Sequence, residues 1–347
     1  MKNGSEHISE LIRRGVENGS RTATVTGEWE IAEAIRIPSN FILILDGCHL
    51  KMAEKVYDNL FVNEHHGTDL GKTTEGTDRN IKILGKNGAV LDGGIYNGLS
   101  EKTQLQNGLP PIWKNNLILF TNVEGFEMAG FACHNQRWWA LNFIYCAEGY
   151  LHDLEFKACD LAMDEEGNFY HGLKRNAYKE VLVKNADGID LRQGCHDIRI
   201  ENICGFTEDD TVALTALNGR LEQTFAVEGL PRDLCRVTVK NVASAAFCSN
   251  VRLLNQGEFP LHDILVEGVT DTSATSPYMD QGIYAVRVGD THLYGDRHST
   301  AEETYNITVR KVRGRGKAVV SLAGEIGNLV LEEPEALDGA ILIEDKR

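Results

Sequence analysis

The chain contains no apolar run of bilayer-crossing length, no surplus of positive charge and no cysteine pair at metal-ligand spacing. The first absence leaves no candidate membrane-spanning helix, which takes about 18 or more consecutive apolar positions. The formal net charge is −16, which argues against a nucleic-acid partner, because neutralising phosphates takes a clustered excess of Lys and Arg. Eight cysteines are present, none in a CxxC or CxxxC arrangement, so no structural zinc motif follows. They read as buried apolar fillers rather than disulfide partners. The N-terminal MKNGSEHISELIRRG has no apolar core of the kind a secretory signal needs. Reduced thiols and no visible signal make a cytoplasmic location the expectation, with secretion the alternative if a signal had been trimmed.

What is present is the composition of a soluble globular chain, 42% hydrophobic and 25% charged. Residues 6–16 predict one amphipathic helix, with Ser5 as N-cap, Ile8, Leu11, Ile12 and Val16 on one face, and Gly19 as the stop. Beyond it the helical period vanishes. Short β-rich runs follow, separated by Gly, Asn and Asp. Aligning them puts Phe126, Tyr150 and Ile198 in step, the second interval twice the first and reading as two coils. Later units begin near Val237, Ile264, Ile307 and Leu329, with loops inserted between them. A period in the low twenties without intervening helices points to a solenoid. The expectation is therefore all-β: one right-handed parallel β-helix over residues 1–347, with 1–19 capping its apolar end and 20–347 forming coils with loop insertions. An antiparallel sandwich would show turn signals every roughly 8–12 residues, whereas Asn87-Gly88 stands nearly alone.

Within this pattern, residues 185–217 carry two acidic motifs, Asn185-Ala-Asp-Gly-Ile-Asp190 and Glu208-Asp-Asp210. The interval from Asp187 to Asp210 matches the period of the runs, and an alternating strand lies between them. An Asp-Gly pair alone is ordinarily a turn, and two adjacent aspartates alone are ordinarily a solvated loop. If that interval is one coil, however, the motifs stack and Asp187, Asp190, Asp209 and Asp210 share one face. Glycoside hydrolysis needs a proton donor and a base, and carboxylates serve as both when their surroundings separate their pKa values.

A series of motifs in this order resembles glycoside hydrolase family 28, the polygalacturonase family. It runs through Ile37-Pro38-Ser39-Asn40, Val90-Leu91-Asp92-Gly93-Gly94, Asn135 to Trp139, the Asn185–Asp190 motif and Glu208-Asp209-Asp210, and the resemblance spans roughly residues 20–330. It implies a glycosidase with Asp209 as general acid, Asp187 and Asp210 positioning and activating water, an inverting course, and neither metal nor cofactor. It also implies that Asn185 orients a sugar hydroxyl or carboxylate and that Arg287 binds substrate. Two family motifs are degraded. Where the family has G-H-G this chain has Phe247-Cys248-Ser249, and where it has R-I-K this chain has Arg287-Val288-Gly289. The missing histidine and lysine suggest an oligosaccharide or glycoside other than plain polygalacturonate, pectin-derived or otherwise.

The surrounding residues add further expectations. Arg252 can replace part of the lost positive charge, and Asp190 either caps its coil or pairs with Arg192. Trp139 can wall a sugar subsite while Trp138 packs in the core, and Trp113 is a weaker rim candidate. His171 lies in an insertion able to fold over the cleft. Insertions at 160–178, 217–235 and 290–304 shape the cleft, the last reading as a loop tip or a homo-oligomer contact. The alternatives are a polysaccharide lyase, whose calcium would sit on the aspartates, and a non-catalytic carbohydrate-binding β-helix.

Overall fold

The structure, a computed structural model, describes residues 2–54, 56–94, 111, 113–136, 138–158, 162–163, 169–170, 186–257, 259–276, 282–289 and 297–347. Strands from Lys2–Asn3 to Ile341–Lys346 join into one continuous sheet in which every pairing is parallel. The chain winds as a right-handed parallel β-helix with three stacks of strands. One stack carries the long strands: Ile198 pairs with Val237, Val237 with Ile264, Ile264 with Ile307 and Ile307 with Leu329. Side chains alternate in and out along each strand, so each such ladder is a spine of the apolar interior.

Two details of the repeat differ from the sequence expectation. Gly149, not Tyr150, stands between Phe126 and Ile198 in the ladder. Phe126 lies stacked on Phe143 with ring centroids 4.9 Å apart, and a Cβ on Gly149 would sit 2.2 Å from the Phe126 ring. A large side chain from one rung takes the place of the next rung's own. The strand Leu141–Lys157 also pairs directly with His196–Thr207. The interval between them is therefore one coil lengthened by an insertion, not two coils.

The corners are turned by residues with left-handed backbone, among them Asn40, Asn80, Asp197 and Asn306, at φ between 54° and 57°. Asn and Asp tolerate that conformation better than other residues with a side chain. Their side chains bond along the axis, Asn80 Nδ2 donating to Asn40 Oδ1 at 2.9 Å and Asn306 Nδ2 to Asp263 Oδ1 at 2.9 Å.

The N-terminal helix spans Gly4–Glu17 and buries Ile8 and Ile12 against the first coils. Its N-cap is Asn3, whose side chain accepts from Glu6 N. Ser5 is buried inside the helix and instead bonds the chain at Ala32 and Glu33, so its hydroxyl fastens the cap to the coil beneath it. At the other end the last strand leaves Ile341 and Ile343 53% and 38% exposed, although both continue inward-facing ladders. The seven described cysteines are free thiols, five of them buried, with Cys204 exposed and Cys248 half-buried. Cys159 lies outside the described residues, and no helix among those described is long and apolar enough to cross a membrane.

Candidate active site

The short-strand stack positions the acidic motifs. Ile189 pairs with Val212, and Val212 with Val251, so the interval between Asp187 and Asp210 is one coil. Two residues before these inward-facing positions, the backbone links Ala140 N to Asp187 O, Gly188 N to Asp210 O and Thr211 N to Ser249 O at 3.0–3.1 Å. Trp139, Asp187, Asp210 and Ser249 thus form one column along the axis, at about 4.8 Å per rung. One residue earlier, Cys248 follows Asp209, its N–H donating to Asp209 O at 3.2 Å. On the strands themselves a second outward row runs from Asn142 through Asp190, Ala213 and Arg252 to Arg287.

The turn holding Asp209 and Asp210 is braced from within. Thr207, Thr211 and Ser244 form a chain of hydroxyls at 3.0 and 2.8 Å, and Asn250 Nδ2 donates to Ser244 O at 2.6 Å. These groups are buried and satisfied by one another, which fixes the turn to the coil above it. Gly188 is required by close approach, since a Cβ there would meet Thr211 O at 2.4 Å.

Asp187, Asp209 and Asp210 each bring a carboxylate oxygen within 4.8 Å of the others. Asp187 Oδ1 accepts from Asp210 N at 2.8 Å, and Asp210 Oδ2 accepts from Arg252 Nη1 at 3.4 Å. Burial and the neighbouring carboxylates push Asp187 well above the usual range. Burial and the charge of Asp210 push Asp209 up to about 7, against the opposing pull of a hydrogen bond from the Cys248 thiol and of Arg252 and Arg287. Burial raises Asp190 to about 8, outweighing the Arg192 guanidinium beside it. These are the conditions under which crowded carboxyls divide protons among themselves. The trio also offers three of the six to eight oxygens that a calcium ion takes.

The cluster floors a cavity of about 170 Å³ lined further by Trp113, Trp139, Arg192, Thr215, Leu217, Arg220, Leu221, Glu222 and Leu254. Asp190 pairs with Arg192 at 3.2 Å rather than capping its coil, and its Oδ2 has no hydrogen-bond partner among the described residues. Arg192 is nearly enclosed: Nη1 donates to Glu222 Oε1 at 2.9 Å, Nε to Asn142 Oδ1 at 3.1 Å, and the guanidinium lies 4.1 Å from the Trp139 ring centroid. Trp139 therefore lines the cavity, and both it and its neighbour Trp138 belong to the apolar cluster behind that cavity. Trp113 also lines the cavity, edge-on to Phe225 and beneath Arg220. Arg287 is half-buried, two rungs beyond Ala213, and approaches the Tyr284 ring. Asn185 and His171 lie outside the described residues, as do residues 164–168 and 290–296 of the insertions.

Sequence reasoning passed over Arg220, Leu221 and Glu222 as cavity walls. They stand on a short helix, Arg220–Thr224, in the 217–235 insertion. Glu222 accepts from Gly219 N at 3.0 Å, and a glutamate three residues after a glycine in a polar loop was the available signal for a helix start.

No protein-family model and no curated protein matches the chain. Among solved structures it is similar to an exopolygalacturonase from Thermotoga maritima, with 14% identity, TM-score 0.55 and 98% of this chain covering 88% of that one. An endo-xylogalacturonan hydrolase from Aspergillus tubingensis gives 12% identity and TM-score 0.57 over 99% of this chain and 92% of that one. A tailspike protein of E. coli bacteriophage HK620, solved with a pentasaccharide, gives 14% identity and TM-score 0.60 over 99% of this chain and 61% of that one. At these identities the likeness is one of fold, the parallel β-helix.

Proposed function

We propose that this protein is a divergent member of the polygalacturonase-like glycoside hydrolases and cleaves an O-glycosidic bond of an oligosaccharide, with Asp209 as general acid. The observation that carries this reading is the convergence of Asp187, Asp209 and Asp210 within 4.8 Å on the outer face of a β-helix. Asp209, raised to about 7, holds a proton in neutral solution and can give it to a leaving oxygen. Asp210 contacts Arg252 at 3.4 Å, and its place beside Asp187 and Asp209 suits it to accept a proton from the attacking water. Asp187, pushed toward its neutral form, positions that water and receives the Asp210 N–H. Trp113 offers an apolar wall for a sugar, while the face of Trp139 is taken by Arg192, and Asp190 Oδ2, which has no hydrogen-bond partner among the described residues, is available to a sugar hydroxyl. Arg252 and Arg287 suit an acidic sugar beyond the scissile bond, consistent with a pectin-derived substrate. The glycosidases of the same fold support this reading, and the inverting course rests on the family resemblance.

Spacing and resemblance pull apart on that last point. Inverting pairs are ordinarily about 6.5–9.5 Å apart and retaining pairs about 5–5.5 Å, whereas one oxygen of each of these three carboxylates lies within 4.8 Å of the others. The deciding experiment is a hydrolysis screen across uronate and neutral oligosaccharides, run in EDTA and again with added calcium, with the first product's anomer read by NMR. The expected product has the inverted anomer and forms without added metal. A retained anomer would replace inversion while leaving hydrolysis in place. An unsaturated, ultraviolet-absorbing product that requires calcium would replace hydrolysis by elimination. Binding without turnover would leave a carbohydrate-binding β-helix.

The pH profile follows from the same groups. Activity requires Asp209 protonated, so the rate should fall as pH rises through about 7. The Cys248 thiol stabilises the ionised form of Asp209, and its loss raises the carboxyl further. Cys248→Ala is therefore expected to move the alkaline limb of kcat to higher pH. An unmoved or lowered limb in a folded variant would contradict the assignment of that limb to Asp209.

A further inference from the structure

We propose that the cleft is closed at one end by the 217–235 insertion, so that the enzyme removes single units from one terminus of its substrate. The proposal rests on the hydrolase reading above and adds the mode of attack to it. The fold leaves that mode open, since its structural neighbours include both an exo-acting and an endo-acting enzyme.

The outward row of side chains runs along the axis of the β-helix, and a glycan lying against it would follow the same line. Before Asp190 that row continues through Asn142, Leu119 and Val62. On a bare β-helix these three would form open floor. Here they are 0%, 0% and 1% exposed. The insertion folds back onto them, packing Leu221, Phe225 and Val227 into one apolar cluster with Val62 and Leu119. Phe225 also stacks on His66 with ring centroids 4.8 Å apart, and Glu228 N donates to Lys72 O at 3.1 Å. The plug is thereby fastened to rungs well before the acidic coil.

The face of the plug that meets the cavity is polar and fixed. Arg192 reaches from the acidic coil to Glu222 on the insertion, to Asn142 on the floor and across the face of Trp139. A buried arginine held on several sides cannot swing aside to admit a second sugar without breaking those bonds. The cavity left in front of it, about 170 Å³, is smaller than the ~300 Å³ at which pockets for drug-sized ligands begin. In the opposite direction the row passes through Ala213 and Arg252, 2% and 6% exposed, to Arg287, which is partly exposed. Among the described residues, the row is covered by the insertion behind Asp190 and reaches the surface at Arg287.

The test uses two defined tetrasaccharides as probes, tetragalacturonic acid and a rhamnogalacturonan-backbone tetrasaccharide, each labelled at the reducing end with 2-aminobenzamide. Products are sized early in the reaction with the wild-type protein. The expected result is one monosaccharide and one trisaccharide, with no disaccharide. Disaccharide among the first products overturns the closed end and leaves hydrolysis standing. Calorimetry on Asp209→Asn protein supplies a readout that needs no turnover, using each probe with a bulky group on one end or on the other. Loss of binding for one labelled end and retention for the other supports the closed end, whereas equal binding of both forms overturns it. If no probe is cut and none binds in any form, the hydrolase reading falls and the proposal falls with it.

Discussion

Replacing Asp209 by asparagine is expected to lower kcat on the cleaved oligosaccharide by about 10²–10⁴-fold, the range a positioned general acid contributes. The reason is specific to this carboxyl. Asp209 carries a titration near 7 because burial and Asp210 oppose its charge, while Cys248, Arg252 and Arg287 draw it back down. Asparagine has the same shape and cannot release a proton. It also removes one of three mutually repelling carboxyls, so the fold should be no less stable and oligosaccharide binding should persist. Steady-state kinetics with a calorimetric Kd on the same protein separates these effects. A loss of less than about tenfold would fall short of the contribution of a general acid and would shift the role to Asp187 or Asp210. A loss confined to KM would mean that Asp209 binds substrate without transferring a proton.

The second large effect is on stability. Arg192→Leu is expected to cost about 3–5 kcal/mol, the usual penalty for breaking a buried ion pair from one side. Arg192 and Glu222 are 5% and 2% exposed, and Leu leaves the Glu222 carboxylate buried beside an apolar side chain. Asp190 suffers less, because burial already raises it to about 8 and it can remain protonated. Removing both charges, as Arg192→Leu with Glu222→Leu, should recover much of the loss, since a well-packed apolar pair often matches a buried ion pair. Urea unfolding midpoints at constant m-value would measure both variants. A single variant as stable as the wild type would show that water reaches this ion pair and that the wall it forms is open.

These expectations draw on residues of unequal legibility in the sequence. The coils were readable because the same alternation of inward-facing Ile and Val returns at Ile198, Val237, Ile264, Ile307 and Leu329, even though inserted loops make the intervals unequal, and the β-helix joins these positions into one ladder. The register slipped by one at Gly149, where the Phe126 ring supplies the missing side chain from the neighbouring rung. A repeat read one residue at a time does not show volume borrowed across rungs. The column of Asp187 and Asp210 was legible for the same reason as the coils, since its spacing is the period itself. The walls of the cavity were not. Arg192 and Glu222 are 30 residues apart, and nothing periodic relates them. Trp113 and Leu221 reach the cavity through loops whose course is set by tertiary packing, and no local pattern encodes that.

The two ends of the solenoid are finished differently, and this gives the molecule a direction in which it comes apart. A stacked-coil protein behaves approximately as a one-dimensional chain of units, each stabilised by its neighbours. The first unit is covered by the helix Gly4–Glu17, whereas the last presents the exposed Ile341 and Ile343. Partial opening should therefore start at the C-terminal strand and proceed inward, so that amide exchange is fastest at residues 341–346 and slows toward the coils of Asp187 and Asp210. Uniform exchange along the axis would contradict this. The strands Ser249–Asn255, Tyr284–Val288, Ala318–Ala323 and Ile341–Lys346 lie between the acidic turn and the open end. The carboxylates that must hold their spacing thus sit several rungs inside a stack that frays from its far edge.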